Sequence, residues 1–179
     1  MKNKVMIIGP QPPTIGGIAS IVYLLKNGLE SVDFLDSSKP TGRVKFFFHP
    51  FSMISQLLLY SVTNKQCKIL LFSSANLSFW EKSAWALVGR LFGSSVYMVM
   101  VDGNFPEFYS SLPPLGKWFA RFATSKATVV GQSKSWGEFY NSIFPKSTIK
   151  LITGGVDTEF FSPSSTSTKI SGSTINVLY

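Results

Sequence analysis

Two short segments of this chain combine residue types that could do chemistry. The first is Gly9-Pro-Gln-Pro-Pro-Thr-Ile-Gly-Gly17, which lies between an apolar run and a segment of helical spacing. Adjacent glycines at such a junction let a ligand approach the backbone closely, and the free amides at a helix N-terminus attract phosphate. Gly16 and Gly17 are therefore candidates for binding a phosphate group; equally, they could do no more than make the tight turn that any strand-to-helix junction needs. The dinucleotide fingerprint Gly-x-Gly-x-x-Gly is absent. The second segment is Val101-Asp-Gly-Asn-Phe105, placed after an apolar run of strand length. Ligands of open α/β sheets bind at the C-terminal ends of strands, which makes Asp102, Gly103 and Asn104 substrate-facing candidates and Asp102 a candidate general base. The plainer alternative is that Asp-Gly supplies turn geometry alone.

Basic and aromatic residues alternate in a third region. Gly116-Lys-Trp-Phe-Ala-Arg-Phe-Ala-Thr-Ser-Lys126 sets Lys117, Trp118, Arg121 and Phe122 close together, a mixture suited to an anionic membrane interface. Arg43-Val-Lys-Phe-Phe-Phe-His49 is similar, and the helix expected after it carries Met53, Ile54, Leu57, Leu58 and Leu59 on an apolar face. Taken singly, aromatics at helical spacing more often face a core, with their Lys and Arg neighbours snorkelling to water.

The elements that must position these residues alternate. Apolar runs of strand length fall at Val5 to Gly9, Val32 to Leu35, Ile69 to Ser73, Val96 to Val101, Ala127 to Val130 and Ile149 to Ile152. Helical segments are expected from Ile18 to Leu29, Phe51 to Val62, Phe79 to Phe92, Leu115 to Ala123 and Lys134 to Ile143, the last with Ser133 as its N-cap. Several strands are continuously apolar, as strands buried on both faces should be. The pattern predicts an α/β domain: a Rossmann-like parallel sheet with helices on both faces.

Composition bounds the rest. A chain of 179 residues with 45% hydrophobic content fits one globular domain. One cysteine, Cys67, excludes an internal disulfide, and one histidine, His49, expected in a loop before Pro50, leaves no metal-ligand cluster and no triad base. A cytoplasmic setting is the simplest expectation. The first apolar run is too short for a signal-peptide core, and the apolar stretch after Pro50 falls short of the roughly 20 residues that span a bilayer. The net charge of +8 calls for an anionic partner. Nucleic acid ranks below phosphate and lipid, because the lysines are scattered and no nucleic-acid-binding motif occurs.

Near the end, Leu151-Ile-Thr-Gly-Gly-Val-Asp-Thr-Glu-Phe-Phe-Ser-Pro163 leads into a polar low-complexity stretch and then Ile175-Asn-Val-Leu-Tyr179. This segment resembles the end of the N-terminal domain in family 4 glycosyltransferases of the GT-B fold, where an apolar strand runs into Asn-Gly-Val-Asp, a Phe and a Pro before the second domain. The loop ending at Gly17 is similar to that family's Pro-Pro-x-x-Gly-Gly loop, whose glycines face the nucleotide-sugar diphosphate. Two departures stand out: Asp102 occupies the place of a His that contacts the donor sugar, and Gly154-Gly155 replaces Asn-Gly. The resemblance implies an acceptor-side domain over residues 1–161, a linker over 162–174, and at 175–179 the first strand of a donor-binding domain. It implies a retaining, metal-free and cofactor-free transferase acting in cell-surface polysaccharide assembly. Its partners would be a nucleotide-sugar donor, a sugar or lipid-linked sugar acceptor, and an anionic membrane at the inner face of the cell. The family's paired acidic motif has no counterpart before Tyr179, so the chain alone is expected to be inert; the alternative is a non-catalytic acceptor- or membrane-binding subunit of a split transferase.

Overall fold

A computed structural model describes residues 4–38, 43–64 and 66–153, and side chains within these ranges except those of 43–47. The elements run β1 (Val5–Gly9), α1 (Gly17–Gly28), β2 (Val32–Asp36), α2 (Arg43–Thr63), β3 (Lys68–Ser73), α3 (Leu77–Leu91), β4 (Ser95–Met100), α4 (Phe105–Ser111), α5 (Pro114–Thr124), β5 (Thr128–Gly131), α6 (Lys134–Ile143) and β6 (Thr148–Leu151). All six strands are parallel, in the order β2-β1-β3-β4-β5-β6. The expected Rossmann-like α/β architecture is what the chain adopts.

The strand residues divide by period two between two apolar layers. Ile7 and Phe72 point to α1, where they meet Val22 with Ile18, Ile21, Leu70 and Val99 beside them. Met6, Ile8, Ile69, Leu71, Met98 and Val129 point the other way, into a larger core with Leu57 of α2, Phe79 and Trp85 of α3, Phe105 of α4, Ala120 of α5 and Tyr140 of α6. Gly9 brings α1 close to the sheet, since a Cβ there would stand 2.7 Å from Val22 Cγ2 and 3.3 Å from Phe72 Cβ. Around Phe105, the rings of Phe79, Phe108 and Tyr140 pack edge to face at centroid distances of 5.2, 5.5 and 5.7 Å. Each such pair contributes about 0.5–1.5 kcal/mol beyond its buried area.

One expectation needs correction, and one helix was not foreseen. The second helix begins at Arg43, before Pro50 rather than after it, so His49 is helical and not in a loop. Pro50 lacks the N–H that would reach back one turn, and the flanking turns tolerate that one missing bond while Met53 and Leu57 bury in the core. Although α2 has 21 residues, no described helix is long and apolar enough to cross a membrane. The unforeseen helix is α4, which continues directly from the Asp102 turn and buries Phe105 and Tyr109. The segment 154–179, with Gly154, Gly155, Asp157, the linker and the final apolar run, lies outside the described residues.

Candidate functional site

In this strand order the chain leaves β1 for α1 on one face of the sheet and leaves β3 for α3 on the other. The loops after β1 and β3 diverge there, opening the crevice in which doubly wound sheets bind their ligands. Gly16 and Gly17 stand on its β1 side and Ser74 to Asn76 on its β3 side. Asp102, Gly103 and Asn104 follow β4, one strand further on. Neighbouring strands lie about 4.8 Å apart, so the ends of β1 and β4 are separated by roughly 10 Å. The structure thus brings both sequence-predicted segments to one edge of the sheet.

The two glycines differ in what the backbone demands. Gly16 has φ 156° and ψ 158°, a conformation that only glycine adopts readily. Gly17 has no positive φ, and a Cβ there would meet nothing within 4 Å. Neither packing nor conformation requires glycine at 17, and its missing side chain leaves open space at the first turn of α1. No side chain caps that helix, whose first turn is closed by Ser20 N–H donating to Gly16 O at 3.1 Å. Beside it, Ile15 is 99% exposed.

The loop before Gly16 is held from the end of β2 and from α1, by residues that the sequence reading missed. Gln11 N–H donates to Asp36 Oδ1 (3.1 Å), Lys26 Nζ donates to the Gln11 side-chain carbonyl (2.8 Å), and Thr14 Oγ1 donates to Ser38 Oγ (2.9 Å). An acidic residue at the end of a second strand, here Asp36, was the available signal. Asn76 was missed as well: with φ 60° and ψ −134° it is a non-glycine residue held in a sparsely populated conformation at the start of α3. Such strain concentrates at ligand-binding loops.

Asp102 is occupied by the backbone. Its Oδ2 accepts from Ala75 N–H at 2.8 Å, tying the loop after β3 to the end of β4, and its Oδ1 accepts from Asn104 N–H at 2.9 Å. The second bond is the turn geometry foreseen for Asp-Gly; the first is a long-range brace that spacing could not reveal. Gly103 and Asn104 are exposed. The Tyr140 hydroxyl is raised above its ordinary pKa by burial, with the negative charge of Asp102 adding to the effect. Among the described residues no His/Cys/Asp/Glu group could hold a metal ion. Cys67 is buried with its Sγ 3.1 Å from Ser94 Oγ, and His49 Nε2 is shut off from water without a hydrogen-bond partner among the described residues.

The basic aromatic helix α5 lies elsewhere on the fold. Ala120 and Ala123 face the core, while Leu115 (74% exposed), Trp118 (61%) and Phe122 (42%) form an outward stripe. Trp118 and Phe122 stack at 5.7 Å with an interplanar angle of 6°, so these two aromatics are surface residues rather than the core residues their spacing more often signals. Arg121 is anchored: its Nε donates to Tyr109 Oη and to Ile143 O, both at 3.0 Å. Lys117 sits over the Tyr109 ring at 5.9 Å. On α2, by contrast, Met53 and Leu57 of the apolar face named from the sequence are buried in the core and Ile54 and Leu58 are half-buried, whereas Leu59 is exposed. The side chains of Arg43 to Phe47 fall outside the described residues. No protein-family model matches the chain, and no curated protein matches it.

Proposed function

We propose that this chain is the acceptor-side domain of a retaining glycosyltransferase that moves a sugar from a nucleotide-sugar to an acceptor hydroxyl, in the assembly of cell-surface polysaccharide. The observation that carries the reading is the placement of the Pro-Pro-Thr-Ile-Gly-Gly loop at the switch point of the sheet, with a glycine at 17 that neither packing nor φ requires. A donor diphosphate would lie against the uncapped first turn of α1, where backbone amides and the helix dipole offset its charge. Open space at Gly17 lets an oxygen approach that backbone, and Gly103 and Asn104 would face the sugar. Asp102 is assigned a positioning role, because each of its oxygens already accepts an amide and so fixes the far wall of the crevice. Stabilising the leaving diphosphate by such donors needs no bound metal.

The exposed stripe on α5 favours a second component: contact with an anionic membrane through Trp118 and Phe122, with Lys117 and Arg121 beside them, which would bring the domain to a lipid-linked acceptor. That surface equally suits an acceptor- or membrane-binding subunit of a split transferase. The two are separated by titrating the chain with a nucleoside-diphosphate sugar. A transferase domain responds at Gly16, Gly17 and Gly103, and Gly17→Val abolishes the response; a subunit that handles acceptor or membrane alone shows no response there.

A further inference from the structure

At the edge of the sheet opposite the crevice, β4, β5 and β6 begin with Ser95, Thr128 and Thr148. These three residues, on adjacent strands, line a cavity of about 190 Å³ together with Arg90 and Lys126. Arg90 Nη1 donates to Ser94 O at 3.2 Å, but neither Arg90 nor Lys126 meets a carboxylate among the described residues. The three hydroxyls make no hydrogen bond to the described protein, although Ser125 at the rim is satisfied by Phe122 O. Lys126 Nζ stands 5.8 Å from the Phe122 ring, and the hydroxyls with these two cations, which meet no described carboxylate, are donors of the kind a phosphate group needs.

A second cavity adjoins it. Ser125 and Lys126 also line a groove of about 480 Å³ walled by Trp118, Phe122, Phe144 and Pro145. Polar hydroxyls and cations at one end and a stacked aromatic wall at the other complement an amphipathic anion. The surrounding field has the matching sign: residues 108–153 carry Lys117, Arg121, Lys126, Lys134, Lys146 and Lys150 against Glu138 alone.

We propose that the two adjoining cavities together form a binding site for one anionic phospholipid. Its headgroup phosphate lies among Ser95, Thr128, Thr148, Arg90 and Lys126, and its glycerol and first acyl carbons lie along Trp118 and Phe122. This shares the membrane surface of the proposed function and is independent of sugar transfer. It goes beyond that surface by assigning a phosphate-specific site, formed by strand ends, on the side of the sheet away from the crevice.

The test compares binding of the full chain to phosphatidylcholine vesicles that carry phosphatidylglycerol with vesicles brought to the same surface charge by oleate. The expected result is tighter binding to the phospholipid by roughly tenfold, lost in Thr128→Val/Thr148→Val, which alters no charge. Lys134→Gln, whose side chain is 88% exposed and lies outside the cavity, should reproduce little of that loss. Arg90→Gln, an exposed position, carries the same test should the threonine pair fail to fold. Equal binding to both vesicles, or cavity variants indistinguishable from the parent, overturns the phosphate site while leaving general membrane docking intact. Failure to bind any vesicle overturns the membrane surface itself. If inorganic phosphate binds the cavity and Trp118→Ala changes nothing, the ligand is a free phosphate and the lipid assignment falls.

Discussion

Replacing Asp102 by Ala separates a brace from a base. The substitution leaves Ala75 N–H, on a residue only 4% exposed, without its acceptor, and deprives Asn104 N–H of a partner that water can replace. An unsatisfied buried amide costs about 1–3 kcal/mol, and a bond to a charged acceptor at an exposed amide adds a few tenths more, for a total of about 1–3.5 kcal/mol. At about 2–4 °C per kcal/mol for a domain of this size, the melting temperature should fall by roughly 3–14 °C. Asp102→Asn keeps one acceptor oxygen and should lose about half as much. Urea unfolding followed by circular dichroism gives the free energy, and hydrogen exchange at the Ala75 amide reports the bond directly. Unchanged stability together with an unchanged Ala75 exchange rate in Asp102→Ala would refute the bracing role and return Asp102 to the list of groups that act on substrate.

Gly17→Ala relieves the entropic cost of glycine at a position where the new methyl meets nothing, so it should raise stability by about 0.4–1 kcal/mol while weakening the binding of a nucleoside-diphosphate sugar. A thermal melt and a binding isotherm on the same sample check both halves. Gly9→Ala drives a methyl into Val22 and Phe72 and should cost about 1–3 kcal/mol in denaturant unfolding, with α1 loosened first. Alkaline unfolding should be steep. Burial raises the Tyr60 hydroxyl, with its bond to Asp33 assisting, and burial with the charge of Asp102 raises that of Tyr140. Both folded values lie above the unfolded one, so above about pH 10 the unfolded chain releases protons that the folded chain retains, and stability falls as pH rises. Tyr140→Phe should flatten that slope in a pH series of urea midpoints.

The fold was legible because its buried strands are short and continuously apolar. Val5–Gly9 and Lys134–Ile143 fall where the sequence placed them, and Ser133 caps α6 by accepting from Trp136 N–H at 3.4 Å. What escaped was decided by tertiary contacts. The proline rule gave the wrong start for α2, and α4 hid because its seven residues look like a turn after Asp-Gly, although Phe105 anchors them in an aromatic cluster. At the site, sequence position alone brought Gly16, Gly17 and Asp102 to one edge of the sheet. The brace from Asp102 to Ala75 joins residues 27 apart, and the Gln11 bond to Asp36 spans 25, so neither leaves a local signal. Trp118 and Phe122 were identified by type, but only the packing of Ala120 and Ala123 beneath them shows that they face outward.

The most direct test of the central claim is an amide shift map of the isotopically labelled chain titrated with a nucleoside-diphosphate sugar. Shifts concentrated at Gly16, Gly17 and Ile18, with a second group at Asn76 and Gly103, are the result expected of a diphosphate bound at the switch point. No shifts at millimolar ligand, or shifts confined to other edges of the sheet, would contradict it.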